Sequence, residues 1–162
     1  MRMGTQIVPI SENFGSAEIV SLFDSGEIDK VEFAFQFADP AETARRIEQQ
    51  DLEATSLDAL LASGTVAGKE FVGKPFRAQS VSWFPTKKAD APIKVYSVIR
   101  GVDPNGEVVT ITCGARSVMR KIAVMDARGW LSDEFIKITS TPLDDGNEAL
   151  DLAVVKADEL PF

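Results

Sequence analysis

Two cations and the only tyrosine of the chain lie at alternate positions of one predicted strand. In a strand over 93–101, alternation places Lys94, Tyr96 and Arg100 on one face, while the apolar residues between them face the core. Proteins hold single-stranded nucleic acid with cations that follow phosphates and with rings that stack on bases, and stacking is worth roughly 1–3 kcal/mol per base. The alternative is an ordinary solvent-facing strand with one amphipathic ring, and this strand alone favours neither interpretation.

Another aromatic group lies before this strand. Adjacent strand residues point to opposite faces, so one of Trp83 and Phe84 must leave the core. Whichever leaves it lies just before a lysine pair, Lys87 and Lys88, in the loop between two predicted strands. A ring beside two lysines favours a stacking and phosphate-binding site over lysines that are exposed only for solubility.

Further candidate cations lie in a basic middle region of the chain. Residues 74–137, which include Arg77, hold 11 of the 17 Lys and Arg but only 6 of the 25 Asp and Glu, although the formal net charge is −8. This distribution favours binding that is confined to one face. Arg116 and Arg120 lie four residues apart and share a side of a predicted helix, where a solvated cationic face is the commoner outcome.

The composition argues against catalysis and against a cofactor or metal. The chain has no histidine, which removes Ser-His and Cys-His pairs and most zinc sites. Its single cysteine, Cys113, is expected to be a buried packing residue. No glycine-rich phosphate loop is present.

The elements that must position these residues form a regular order after residue 75. The pattern predicts strands over 76–84, 93–101 and 107–113, then a helix over 115–127, then strands over 135–139 and 148–155. Three strands, a helix and two strands is the order of a five-stranded OB-fold barrel, with Trp130 closing one end. The competitor is an SH3-like barrel, which a helix of this length disfavours. We predict a mainly β protein with helices (α+β) and an OB-fold-like core over 75–156.

Residues 1–74 are predicted to form an extension that packs on this core. Ser16 and Gly26 bound a short helix as its cap and its end. Residues 30–37 alternate as a half-buried strand whose phenylalanines favour the core over a stacking platform, and whose edge can pair across subunits. Helices are expected over 39–50 and 56–62, and a connector over 64–74. The oligomeric state stays open.

The last residues, 157–162, follow the final predicted strand and form an acidic tip. Two carboxylates, an aliphatic residue, a proline and a phenylalanine follow one another there: Asp158, Glu159, Leu160, Pro161 and Phe162. This ending resembles the tip of bacterial single-stranded-DNA-binding proteins, which reads Asp-Asp-Asp-Ile-Pro-Phe and docks on replication and repair partners. The resemblance implies that these five residues bind such partners. A pocket with an apolar floor and a basic rim would accept the ring and the carboxylates. The alternative is a last strand that ends in a hydrophobic residue.

These observations predict a protein that binds single-stranded DNA with little sequence preference during replication, recombination or repair. It is similar to the small, divergent single-strand binders of bacteriophages. The chain has no apolar run of the roughly 18 to 20 residues that a membrane span needs and no secretory signal at its start, so a cytoplasmic location is expected. The alternative is an acidic inhibitor or adaptor without a nucleic-acid partner, which the pI near 4.6 also fits.

Overall fold

The computed structural model describes residues 6–11, 14–35, 66–86, 88 and 90–160. Within these ranges the chain is a mixed α+β protein made mostly of strands, with two α-helices. The strands are β1 (Gln6–Ile10), β2 (Val31–Phe35), β3 (Val66–Ala67), β4 (Arg77–Pro85), β5 (Val95–Val102), β6 (Val108–Cys113), β7 (Ile136–Pro142) and β8 (Glu148–Val154). The helices are α1 (Ser16–Ser25) and α2 (Arg116–Ala127). The helices predicted over 39–50 and 56–62 lie outside the described residues.

The strands β4, β5 and β6 form an antiparallel meander, and α2, β7 and β8 follow in the predicted order. The turn between β5 and β6 explains their register. Asp103 Oδ1 accepts hydrogen bonds from the backbone N–H groups of Asn105 and Glu107, both at 2.9 Å. Gly106 supplies the positive φ of 83° that this turn requires. The loop between β7 and β8 has the same backbone pairing, here of Leu143 with Asn147, and Asp145 Oδ1 accepts from the Asn147 N–H at 3.0 Å.

The N-terminal part forms a β1–α1–β2 unit, in which the two strands pair in parallel along their full length. The sequence pattern does not predict β1, because Pro9 cannot donate to a ladder and only Ile10 is buried. Glycines cap both ends of α1, Gly15 before it and Gly26 after it. The Gly15 N–H donates to the Glu18 carboxylate at 2.9 Å, and Gly26 adopts the left-handed conformation. The prediction that Ser16 is the cap is therefore wrong.

Ser16 instead links α1 by hydrogen bonds to β4 and to α2. Its buried hydroxyl donates to Asp126 Oδ2 at 2.5 Å and accepts from Trp83 Nε1 at 3.1 Å. The three side chains come from α1, β4 and α2, so a single hydroxyl connects three elements. Ile19 of α1 and Ile122 of α2 belong with Trp83 to one hydrophobic cluster, which extends to both parts of the chain. The division at residue 74 stays a prediction.

A short segment, residues 66–76, connects two of the sheets. Its β3 residues pair in parallel with β6, which corrects the prediction that this stretch is only a connector. Gly68 then passes so close to Cys113 that a Cβ would lie 3.0 Å from its Sγ. Isolated bridges follow from Val72 to Ile138 and from Phe76 to Ile136. The segment therefore contacts β6 at one end and β7 at the other.

The paired strands of the described residues fall into three sheets, with the orders β1-β2, β3-β6-β5-β4 and β7-β8. These sheets do not close into one ring, so the five-stranded barrel is not confirmed. The buried core lies between the inner face of the four-stranded sheet, α2 and the β7–β8 hairpin, and it continues into the β1–α1–β2 unit through Ile10, Ile19 and Phe33. Neither described helix combines the length and the apolar character that crossing a membrane requires.

Candidate nucleic-acid interface

The surface that carries the predicted strand-binding residues is the outer face of the four-stranded sheet. In β5, Val95, Ser97 and Ile99 are buried, and the residues between them are half-buried on the opposite face. Cross-strand pairing extends that face over three strands. We call it the outer sheet face, and its members are Ser80, Ser82, Phe84, Tyr96, Val98, Arg100, Thr110 and Thr112.

A register shift in β4 decides which of two adjacent rings reaches this face. Ala78 pairs with Gly101 and Ser80 pairs with Arg100, so Gln79 is an extra, exposed residue of a β-bulge. The bulge reverses the alternation of the residues that follow. Trp83 is thereby buried, at 2% exposure, and Phe84 lies on the outer sheet face. The prediction that Trp83 contacts DNA is wrong, because its ring is part of the core and its N–H is bonded to Ser16.

Three rings form a row at one end of the outer sheet face. Phe84 lies directly across from Tyr96, and the two rings stack with centroids 5.8 Å apart and an angle of 24° between their planes. Phe35 of β2 contacts Phe84 edge-on at 6.1 Å. Partial burial raises the pKa of Tyr96, so its phenol stays neutral at physiological pH. The position of Phe35 is one that the sequence does not reveal, because it depends on how β2 packs beside β4.

Cations lie beside this row of rings. Lys88 is exposed in the loop after β4, and the Lys94 ammonium is 3.5 Å from the Lys88 carbonyl oxygen. Thr86 shapes the loop by accepting a hydrogen bond from the Lys88 N–H at 3.2 Å. Arg100 lies two pairs further along β5, on the same face. Lys87, the other lysine of the predicted pair, lies outside the described residues.

A cavity of about 950 Å³ opens at the Tyr96 end of the sheet. Its walls include the apolar residues Pro92, Ile93 and Leu150, and its charged lining residues are Lys69 and Lys88. Among the described residues no carboxylate lines it. We call it the lysine cavity. The sequence gives no signal for Lys69, because only the pairing of β3 with β6 brings residue 69 to this place.

The structure places the remaining predicted cations elsewhere. The Arg77 guanidinium lies over the Phe135 ring at 4.6 Å, near the opposite end of β4. Arg116 lies over the Phe23 ring at 5.6 Å and 3.8 Å from Asp29, against α1. These two side chains are held by structural contacts and do not join the row of rings.

Two further residues of α2 and the segment after it lie in a separate groove. Arg120 is exposed and lines this groove together with Trp130. Trp130 is 49% exposed, so the prediction that it closes the end of the core is wrong. The N–H of Trp130 bonds to the Met125 carbonyl oxygen at 2.8 Å, which turns the chain outward where the helix ends.

The structure describes the acidic tip only as far as residue 160. Residues Ala157–Glu159 form a 3₁₀ turn, Asp158 is exposed, and Leu160 is half-buried. The Glu159 side chain and residues 161–162 lie outside the described residues.

Cys113 is buried, as predicted, and burial raises the pKa of its thiol. The part of the chain that the structure describes holds no group of three or more His, Cys, Asp or Glu side chains arranged to bind a metal. Comparisons with protein-family models, with curated proteins and with solved structures found no match for this chain.

Proposed function

We propose that this protein binds single-stranded DNA on its outer sheet face. The observation that carries the proposal is the stacked pair of Phe84 and Tyr96 with Lys88 and Lys94 beside it. Rings next to cations are the combination that holds single strands without reading their sequence. The bulge at Gln79 supports the assignment, since bulges are common where a strand re-aims a side chain toward a site.

The proposed binding mode follows from the chemistry of this face. A base stacks at the Tyr96 end of the row, and the lysine ammonium groups contact the phosphates on either side of it. The hydroxyls of Ser82 and Thr112, which flank Val98 on the neighbouring strands, offer hydrogen bonds to sugar and phosphate oxygens. Binding of this kind depends little on sequence and weakens as salt rises, because counterions are released from the strand.

The finer fold that we propose for residues 75–156 is an OB-like barrel. It is supported by the order of three strands, a helix and two strands, and by the bridge from Phe76 to Ile136, which sets the start of β4 beside β7. In an OB-fold the outer face of this sheet and the adjacent loops bind oligonucleotides. The acidic tip, with its resemblance to bacterial single-strand binders, is proposed to recruit replication and repair proteins.

Photochemical crosslinking tests the proposed site. The full chain is irradiated with an oligothymidine strand, and the crosslinked peptides are identified by mass spectrometry. We expect crosslinks on Phe84 or Tyr96. Crosslinks confined to peptides of the groove that contains Trp130, or no crosslink at low salt, would contradict the assignment of the DNA site to the outer sheet face.

A further inference from the structure

A second concave surface lies away from the outer sheet face, between α2 and the end of β8. It has a volume of about 830 Å³ and an apolar floor of Val124, Met125, Ile136 and Leu152. Trp130 and Val154 line it while remaining 49% and 56% exposed. We call this surface the Trp130 groove. Large exposed apolar side chains next to each other, within a polar rim, are typical of interaction surfaces.

Residues of both signs of charge lie around the Trp130 groove, on different elements of the fold. Arg120 of α2 lines the groove. Arg128 does not line it but lies over the Trp130 ring at 5.1 Å. Asp133 and Glu134 lie on the side of the loop that leads into β7. Within the described part of the chain none of these four forms an ion pair. A surface that carries cations on a helix and acids on a neighbouring loop can be complementary to itself when two copies meet about a two-fold axis.

Side chains already occupy the backbone groups of Leu152 at the β8 edge, which disfavours an added strand here. Asp151 accepts a hydrogen bond from the Leu152 N–H at 2.8 Å, and Lys121 lies 3.5 Å from the Leu152 carbonyl oxygen. These contacts occupy the middle of the β8 edge, and Lys121 is itself held by Asp151 at 2.8 Å. We therefore expect a partner to dock through side chains rather than through backbone pairing.

We propose that the Trp130 groove is the self-association surface of this protein and that its occupant is a second copy of the chain. In a two-fold dimer each Trp130 ring enters the groove of the other copy. Arg120 and Arg128 of one copy then face Asp133 and Glu134 of its partner. This pairing leaves the outer sheet face of both copies open, and it does not depend on the proposed binding of DNA.

The test is a charge-swap experiment on the full chain without nucleic acid, followed by sedimentation velocity over a concentration series. One variant reverses the cations (R120E/R128E), and the other reverses the acids (D133K/E134K). Each alone is expected to remain monomeric, because like charges meet across the interface. An equimolar mixture of the two is expected to dimerise, because both sets of contacts are then attractive. A variant that merely folds poorly cannot be rescued by mixing.

Further variants measure the apolar part of the interface and its specificity. Trp130→Ala is expected to raise the dimer dissociation constant by roughly tenfold to a hundredfold, as for a buried aromatic anchor. Lys94→Glu, a charge reversal on the outer sheet face, is expected to leave the dimer unchanged. A wild-type chain that stays monomeric at every concentration, or a mixture that does not restore dimers, would overturn the proposal. A Trp130 that responds to oligothymidine while the chain stays monomeric would assign the groove to nucleic acid instead.

Discussion

At the residue scale, the candidate site depends on the Tyr96 ring, one face of which is already packed against another ring. Tyr96 stacks on Phe84, which in turn meets the edge of Phe35. A ring that is already packed loses little conformational freedom when a base stacks on it, so more of the stacking energy is kept as affinity. The nearby Lys94 ammonium, 3.5 Å from the Lys88 carbonyl oxygen, is proposed to add electrostatic attraction for phosphates.

This arrangement predicts that the ring matters and the phenolic hydroxyl does not. Tyr96→Ala should weaken binding of an oligothymidine strand by roughly tenfold to a hundredfold, corresponding to about 1–3 kcal/mol of lost stacking. Tyr96→Phe should keep nearly all of the affinity. Isothermal titration calorimetry at one fixed salt concentration would measure both. Equal losses in the two variants would show that the hydroxyl, rather than stacking, carries the contact.

Ser16 is a further residue whose role comes from its position rather than its type. Its hydroxyl serves both Trp83 and Asp126, so its removal leaves a buried indole N–H without an acceptor. Ser16→Ala should lower the free energy of unfolding by about 1–3 kcal/mol. Chemical denaturation would measure the loss. Ser25→Ala is the matched control, since that hydroxyl makes only an exposed bond to Leu22 at 3.2 Å and its loss should cost little.

At the element scale, β4 shows what the sequence can and cannot predict. Its existence and its approximate bounds follow from alternation, and so do those of β5, β6 and α2. Which ring points outward does not follow, because the bulge at Gln79 is set by pairing with β5. The sequence therefore predicts that one of Trp83 and Phe84 leaves the core without predicting which one.

Short or distant pairings are the other features that the pattern does not predict. The two residues of β3 have no periodicity of their own and are strand only because β6 offers a free edge. The cations near the candidate site also differ in whether the sequence predicts their position. Lys94 and Arg100 follow from alternation within one strand, whereas Lys69 is brought to the lysine cavity by long-range pairing. Arg77 and Arg116 have the expected charge but are held by Phe135 and Phe23.

The close approach of β4 and β5 beside the bulge yields a test of this geometry. A Cβ at Gly101 would lie 2.4 Å from the Arg77 carbonyl oxygen, a contact with backbone that cannot be relieved by a rotamer change. Gly101→Ala should therefore lower the free energy of unfolding by about 1–3 kcal/mol. Thermal unfolding followed by circular dichroism would measure this. Gly114→Ala is the control, because its Cβ would meet its nearest neighbour at an ordinary 3.8 Å. Equal stability of the two variants would contradict the bulged register.

At the scale of the whole molecule, an acidic protein presents a basic site. The net charge of −8 is the sum of −13 on the two flanks and +5 on residues 74–137. The lysine cavity is lined by two lysines and, among the described residues, by no acid. Net charge therefore does not decide against nucleic acid, since the local potential governs the encounter with phosphates.

Truncation distinguishes the two proposed roles, binding of DNA by the outer sheet face and recruitment of partners by the acidic tip. Removal of residues 158–162 takes away two carboxylates and the apolar group that the partner would receive. Affinity for single-stranded DNA should stay the same or rise, while capture of replication or repair proteins should be lost. Gel-shift and pull-down assays on the truncated chain would measure the two. Loss of DNA affinity together with the tip would contradict the separation of these functions.

The most direct test of the central claim is the salt dependence of binding to oligothymidine, measured by anisotropy of a labelled strand. Intrinsic tryptophan fluorescence is a poorer probe, since Trp83 is buried and Trp130 lies in a separate groove. Affinity of the wild-type chain should fall steeply as salt rises. In Lys88→Ala/Lys94→Ala the slope of log affinity against log salt should decrease by about 1.4, because two phosphate contacts are lost.

The control is Lys30→Ala/Arg116→Ala, which removes two cations beside Asp29 and should keep the wild-type slope. Binding at low salt that is lost with rising salt, with a shallower slope only in the variant of Lys88 and Lys94, is the result that we predict. No binding at low salt, or the same slope in both variants, would contradict binding on the outer sheet face.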